Sequence, residues 1–436
     1  MNERDSEAVA AQLQARGYAM AESESGADVV LLNTCSVRDA ADQKALNKMQ
    51  NLTRSPAALR KATVFGFLGC MAQARGPELM AAVPGVDLVL GTQKFHRTAD
   101  YLDDLLTGKR RKICDTEAEP DSHSAIKEHL AVLPGDQTSA VSAYISIMQG
   151  CNQHCTFCIV PYTRGQERSR SIADIVQEAR QLAAQGVKET VLLGQIVTSF
   201  GRRDLPDRDG KSPFVQLLEA VHEVEGIERI RFTAPHPKGY GDDLIEAYGR
   251  LPKLCESAHL PIQSGSDRVL KLMHRGYPVA RCLEIVRKLR RVQPGIGITT
   301  DLIVGFPGET EADFQETLAL ARAAEFDNAY IYKYSPRRDT PAAGVPDQIP
   351  QAVKEARHAE LLNCINAIAA RIFASYIGKT MEVLVEGPSR RNSARWTGHT
   401  RCHKIALFDA PGRRCGEILP LKIKRSGKFT LYGDEG

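Results

Sequence analysis

Residues 143–165 read AYISIMQGCNQHCTFCIVPYTRG. The stretch opens as a short apolar strand, and Gly150 marks a turn. Cys151, Cys155 and Cys158 follow at once, spaced C-x3-C-x2-C. Structural zinc takes four ligands, and its common knuckle spaces cysteines by two residues, so the triplet fits zinc poorly. Thiolates also hold copper(I) and iron–sulfur clusters. Three thiolates on a four-iron cluster leave one iron with an open position, and an open position marks a catalytic metal site. Zinc with a fourth ligand from elsewhere, such as His154, is the alternative.

Beyond that loop the chain alternates strands and helices. Strand patterns lie at VSAYISIM, ETVLLGQI, RIRFTA, SAHLPIQ, GITTDLIVG and NAYIYKYS, with amphipathic helices at 171–185, 212–224, 279–291 and 311–323. Strands alternating with helices predict a parallel barrel whose active site lies at the C-terminal strand ends. Six strands are fewer than the eight of a closed barrel, so an open, partial TIM-like barrel is expected. Residues 350–375 continue as a long helix. After it, MEVLVEG, RWTGHT, KIALFD, EILPLKIKRS and KFTLYG are short alternating runs between turns, the texture of a small OB-like β-barrel.

Toward the N-terminus, DVVLLNTC, ATVFGFLGC and GVDLVLG are buried-strand patterns set between helical stretches. They predict a small α/β domain with a parallel sheet. Cys35 and Cys70 fall at the C-terminal ends of two of these strands, the edge where open α/β sheets gather ligands. Their alternative is a role as ordinary buried thiols. The fold class is thus α/β with a terminal β-barrel. The division is 1–115 for the sheet domain, 116–137 for a linker, 138–372 for the open barrel and 375–436 for the β-barrel.

The whole chain has 436 residues, 43% hydrophobic and 25% charged, as soluble globular chains do. No run of apolar residues is long enough to span a membrane, and the N-terminus lacks the apolar core of a secretory signal. A cytoplasmic protein is expected, and its clustered cysteines then indicate metal rather than disulfides. Net charge is only +4, but Tyr376–Gly436 holds 12 Lys and Arg against 6 Asp and Glu. A basic terminal module on a near-neutral body suits a polyanion partner, although a solvated basic surface gives the same count.

C-x3-C-x-aromatic-C, with Phe157 as the aromatic, resembles the signature of radical S-adenosylmethionine enzymes. The resemblance implies a 4Fe–4S cluster on Cys151, Cys155 and Cys158 whose open iron binds S-adenosylmethionine. LLGQ (192–195) stands where that family contacts the amino group, with Gln195 as the candidate. HLPIQSGSD (259–267) resembles its ribose-contacting segment, with Gln263 and Ser264. DLIVGFPGET (301–310) resembles its adenine-lining motif, including Gly305, and Tyr334 lies where the last strand nears the base.

A narrower resemblance spans nearly the whole chain. DSEAVAAQLQARGY, NTCSVRDAADQKALNKM, GCMAQ, CTFCIVPYTRG and LPIQSGSDRVLKLM look like the methylthiotransferase family, and the basic end resembles its TRAM domain. PYTRG and the basic tail are most similar to the MiaB-like branch. The resemblance implies a second, auxiliary 4Fe–4S cluster with three cysteine ligands, and methylthio transfer to C2 of N6-prenylated adenosine beside the tRNA anticodon. It also implies an electron donor such as flavodoxin or ferredoxin, a sulfur donor, and a monomer as the expected state. Other branches act on threonylcarbamoyladenosine in tRNA or on a ribosomal-protein aspartate. An RNA-binding iron–sulfur protein with an incomplete auxiliary cluster is a further alternative.

Cys35 and Cys70 match the family's second and third auxiliary ligands. The first belongs to a G-C-Q-M-N segment, whereas this sequence opens MNERDSE. The expectation is a missing first strand and first cluster cysteine. QIVTSF (195–200) and TAPHP (233–237) also depart from the family pattern. For RNA, the candidates are Arg390, Arg391, Arg401, Lys404, Lys422 and Lys424 in the basic module, with Arg164 near the cluster loop. Arg164 either meets the substrate backbone or pairs with an internal carboxylate. Trp396 either stacks on a base or fills the small barrel.

Overall fold

The structure is a computed structural model that describes residues 1–36, 39–55, 63–119, 141–389, 391–409, 412 and 414–435. Most of the expected linker, and Arg390, lie outside the described residues. The chain forms two compact units. The first joins the N-terminal sheet to Met148–Arg170 and Arg337–Thr340; the second joins Ser171–Pro336 to the chain from Pro341 onward, with the strand before Met148.

In the first unit, β1 (Val29–Thr34), β2 (Val64–Gly69), β3 (Leu88–Leu90) and β4 (Ile113–Asp115) form a parallel sheet in that order. Helices cover both faces: α1 (Asn2–Ala15), α2 (Asp39–Thr53), α3 (Cys70–Ala82) and α4 (Thr98–Leu106). The strand period of two sorts the core. Phe65 and Phe67 pack with Met49, Met71 and Leu79 on one face, while Val64 and Leu68 pack with Val9 and Leu102 on the other. Each such buried side chain contributes roughly 1.5–3 kcal/mol relative to exposure. β4 was not among the expected strands. It is three residues long in a basic segment, and only Ile113 is buried, so it carries no alternating pattern.

The register pairs Thr34 with Gly69, which sets the Cys35 and Cys70 positions side by side at the C-terminal sheet edge. Gly69 has φ 96°, and a Cβ there would stand 2.4 Å from the Thr34 carbonyl oxygen. Only glycine permits this approach. Within the same unit, β6 (Met148–Gln149) and β7 (Arg168–Ser169) form an antiparallel hairpin, and α5 (Val160–Arg164) lies in its loop.

The second unit contains the six strands expected of the open barrel: β5 (Ser142–Ser146), β8 (Glu189–Leu193), β9 (Arg229–Phe232), β10 (Ser257–His259), β11 (Gly297–Val304) and β12 (Asn328–Lys333). They pair in parallel as β5-β8-β9 and β10-β11-β12. Ile230 and the segment around Leu254 bridge the two sheets. Among the described residues β5 and β12 do not pair, so the barrel is open. Its helices are α6 (Ile172–Ala184), α7 (Pro213–His222), α8 (Asp242–Arg250), α9 (Asp267–Leu272), α10 (Val279–Val292) and α11 (Glu311–Ala324). Their ends obey local chemistry: Ser171 caps α6, and Thr310 with Asp313 forms a reciprocal capping box on α11.

The long α12 (Gln351–Ala374) leads to a closed barrel of β13 (Thr380–Ser389), β14 (Asn392–Thr400), β15 (Ile405–Phe408), β17 (Thr430–Glu435) and β16 (Ile418–Ser426), in that spatial order. Along β16, Leu419, Leu421 and Ile423 face inward while Pro420, Lys422 and Lys424 are exposed. Trp396 packs against this core, half-buried, which favours the filling role over base stacking.

The turn between β14 and β15 seats against the N-terminal ends of the open-barrel strands. Arg229 Nη1 donates to the His399 carbonyl at 2.7 Å, and Arg231 donates to the Thr400 and Arg401 carbonyls at 2.9 and 2.8 Å. Arg231 Nε also holds Glu189 at 2.7 Å. Both arginines are buried.

Candidate functional site

The three-cysteine loop is held at its base. The Cys151 N–H donates to the Gly165 carbonyl at 3.0 Å, and Asn152 exchanges hydrogen bonds with Glu167. Gly150 has φ 81°, and a Cβ there would meet the Gln166 carbonyl oxygen at 1.9 Å. The Cys158 N–H donates to the Cys155 carbonyl at 3.0 Å, which closes a tight turn. Cys151 and Cys155 are buried, Cys158 and Phe157 half-buried, and His154 is exposed. Burial pushes the Cys151 thiol up to about 12, with Cys158 and Cys155 nearby adding to the shift. Binding a metal there must displace a proton.

The donor set fits an iron–sulfur cluster. Among the described residues no three His, Cys, Asp or Glu side chains converge on a single-ion position. Thiolates that each take a different iron of a four-iron cluster have no need to converge on one point. At the sheet edge, Cys35 is half-buried and Cys70 buried, both as free thiols.

Arg164 requires a correction. Its side chain is 3% exposed, and Nη2 donates to Asp5 Oδ2 at 2.7 Å. A guanidinium buried in an ion pair is not available to an RNA backbone, so the internal-carboxylate alternative holds.

The other expected cofactor residues lie in the second unit, at the C-terminal strand ends. Gln195 follows β8, and its buried Oε1 accepts no hydrogen bond among the described residues. That orphaned acceptor suits a ligand ammonium. Gln263 sits at φ 81°, a conformation seldom adopted outside glycine, and its backbone bonds to Asp301 and Ile303 at 2.8 and 2.9 Å. Ser264 is fully buried, its Oγ accepting from the Ser266 N–H at 3.2 Å. The Gly305 N–H donates to Glu309 Oε2 at 2.7 Å, and Arg357 binds that oxygen at 2.8 Å. Tyr334 is buried edge-on to Phe306, with ring centroids 5.4 Å apart.

The basic module divides into two groups. Arg391, Lys422 and Lys424 are exposed. Lys404 and Arg401 are corrected: both are consumed by the open barrel. Lys404 is buried and bonded to Asp327. Arg401 grips Glu256 at 2.9 Å and the Pro252 carbonyl at 2.7 Å. Sequence reasoning did not single out Tyr432, whose ring lies 3.6 Å under the exposed Arg425 guanidinium. The alternation along β17 carries that signal, since Leu431 points inward and Tyr432 therefore outward.

Three family models match in order: Uncharacterized protein family UPF0004 at residues 1–91, the Radical SAM superfamily at 145–321, and the TRAM domain at 374–434. Together they define a radical S-adenosylmethionine enzyme of the methylthiotransferase class. The chain is similar to tRNA-2-methylthio-N(6)-dimethylallyladenosine synthase of Akkermansia muciniphila, at 49% identity over 99% of this chain and 96% of the relative. The same-named protein of Opitutus terrae is 49% identical over 100% and 95%, and that of Clostridium botulinum 39% over 100% and 94%. The chain belongs to the tRNA-2-methylthio-N(6)-dimethylallyladenosine synthase family. Its fold is like that of the radical S-adenosylmethionine methyltransferase TsrM from Kitasatospora setae, with TM-score 0.57, 12% identity, and coverage of 78% of this chain and 74% of that one. Family membership implies 4Fe–4S clusters and S-adenosylmethionine as cofactors.

Proposed function

We propose that the chain transfers a methylthio group to C2 of N6-prenylated adenosine beside the anticodon of tRNA. The observation that carries this reading is the buried three-cysteine loop in a chain 49% identical to a synthase of that name over nearly its full length. In this reading residues 1–115 hold the auxiliary centre on Cys35 and Cys70, 138–372 the radical chemistry, and 375–436 the RNA contact.

Cys151, Cys155 and Cys158 hold the cluster that, when loaded, supplies reductive cleavage of S-adenosylmethionine. Gln195 receives the ammonium of that cofactor. Gln263 and Ser264 contact its ribose, and Gly305 with Tyr334 borders its adenine. Gln263, Ser264, Gly305 and Tyr334 are buried, a setting that keeps water from a bound cofactor. Glu309, pushed up by burial against the opposing pull of the Gly305 N–H and Arg357, fixes the Gly305 turn. Arg391, Lys422 and Lys424 hold the tRNA phosphates without reading bases. A flavodoxin- or ferredoxin-type donor, a sulfur donor, a monomeric state and a cytoplasmic setting complete the proposal.

Mass spectrometry of tRNA from a strain lacking this gene tests it. Prenylated adenosine without its methylthio group is the expected result, and an intact methylthio group overturns the reading. After anaerobic reconstitution, about eight irons per chain fit two four-iron clusters, whereas about four favour an iron–sulfur RNA-binding protein without sulfur transfer.

A further inference from the structure

β16 and β17 pair antiparallel with a register shift. Ile423 pairs with Gly433 and Arg425 with Tyr432, which leaves Lys424 as the extra residue between them. Leu419, Leu421 and Ile423 face inward, so an unbroken period of two would bury residue 425 as well. The bulge turns it outward instead, and Lys424 and Arg425 are exposed in succession. Bulges re-aim side chains, and here the target is a ring. The Arg425 guanidinium carbon lies 3.6 Å from the centroid of Tyr432. Arg395 on β14 stands 6.0 Å from the same centroid and is paired with Asp409 at 3.5 Å. Arg425 has no carboxylate partner among the described residues.

A guanidinium so close to a centroid lies on the face of the ring, because an approach at the edge would clash. The cation–π attraction holds the plane in place, and its other side is open to solvent. Guanidinium planes and aromatic rings are the platforms on which proteins stack unpaired bases. A phosphate contact needs neither the ring nor the bulge, since Lys422 meets a phosphate simply by standing exposed. The β16–β17 turn adds a second pair, with Lys428 Nζ 5.5 Å from the Phe429 centroid and both residues exposed. Cations interleaved with rings suit a single strand, whose bases are free to stack.

We infer that Arg425, carried on Tyr432, is a stacking platform for an unpaired base of the tRNA, beside the phosphate contacts of Lys422 and Lys424. This rests on the reading above that the small barrel holds tRNA, and it deepens that reading. The barrel then meets a loop or a single-stranded end of the tRNA rather than a helical stem. It does so without choosing among the bases, because every base has a π-face.

Stacking releases no counterions, so losing it weakens affinity without changing the dependence on salt. Filter binding across a salt series tests this in the reconstituted full-length protein. The probes are an RNA hairpin with an unpaired loop and a blunt RNA duplex of the same charge. The parent is expected to favour the hairpin. Tyr432→Leu removes the ring without touching charge, and Arg425→Lys keeps the charge without the plane. Each is expected to weaken hairpin binding about tenfold at the parent's salt slope and to leave duplex binding as it was. Tyr432→Phe keeps the ring face and is expected to restore parental binding. Arg425→Lys alters only an exposed side chain, so it carries the test if Tyr432→Leu fails to fold. Unchanged hairpin affinity, an equal loss on hairpin and duplex, or a changed slope in Arg425→Lys overturns the inference, as does Tyr432→Phe binding as weakly as Tyr432→Leu. A parent that binds neither RNA removes the barrel's RNA role and the inference together. Ring-dependent hairpin binding, alongside an intact methylthio group in the deletion strain, supports the inference and overturns the proposed reaction alone.

Discussion

Two single residues carry consequences that can be measured directly. Gly150 precedes the first cluster cysteine at positive φ, with its missing Cβ facing the Gln166 carbonyl oxygen at 1.9 Å. Gly150→Ala is expected to cost about 1–3 kcal/mol of stability through backbone strain and to lower iron retention at the triplet. Urea unfolding and iron content check the two effects separately. His236 is buried, and burial together with Arg275, Lys238 and Arg202 pushes its imidazole down to about 3. Its unfolded value is about 6.5, so the unfolded chain binds the extra proton first as pH falls. Stability from this group is therefore full above about pH 6.5 and declines by about 1.4 kcal/mol per unit as pH falls toward the folded value. His236→Asn is expected to flatten the stability profile between pH 6 and about 4 in urea titrations. The cysteine triplet was legible in the sequence because spacing alone distinguishes it. The burial of Arg164 was not, since Asp5 lies 159 positions away and only the fold brings them together.

At the scale of elements, the strand patterns that announced the open barrel are short runs set between amphipathic helices. β8 and β9 are wholly buried, as strands of a parallel sheet are, although β9 reads RIRF. β4 escaped notice because a three-residue edge strand has too few inward positions to show a period. The polar residues inside β8 and β9 had a purpose that the sequence did not disclose. Burial pushes the Glu189 carboxyl up, but Arg231 and Arg229 outweigh it and hold it below the usual range. Arg231→Leu would leave Glu189 buried without its partner and is expected to cost about 3–5 kcal/mol. Replacing Glu189 by Leu as well is expected to recover most of that loss. A double-mutant cycle by chemical denaturation measures both.

Over the whole molecule, the basic C-terminal module has two kinds of cation, and charge counting treats them alike. Lys422 and Lys424 stand on the outward period of β16. Changing both to Ala is expected to weaken tRNA binding across sequences and to reduce the salt slope by about 1–2, as for one or two lost phosphate contacts. Arg401→Ala is expected to leave that slope unchanged and to lower the melting temperature, because its partners are Glu256 and the Pro252 carbonyl. Filter binding across a salt series separates the two classes. The order of sheet, open barrel and small barrel was legible along the chain from strand period alone. The seating of the β14–β15 turn was not, since backbone carbonyls do part of the bonding and the carboxylates that hold Arg401 and Lys404 lie 145 and 77 positions away.

That turn bears on how the protein can be dismantled or rebuilt. Arg229 and Arg231 are satisfied by carbonyls of residues His399, Thr400 and Arg401. Excising the small barrel would thus strip Arg229 of its acceptors and leave Arg231 with Glu189 alone, and the shortened enzyme is expected to lose stability along with RNA affinity. A chimera that borrows a terminal barrel from a distant homologue would need the host's own turn stitched into the donor. The C-terminal module is inherited as a keystone of its neighbour, and grafting experiments should be planned around the joint rather than around the domain boundary.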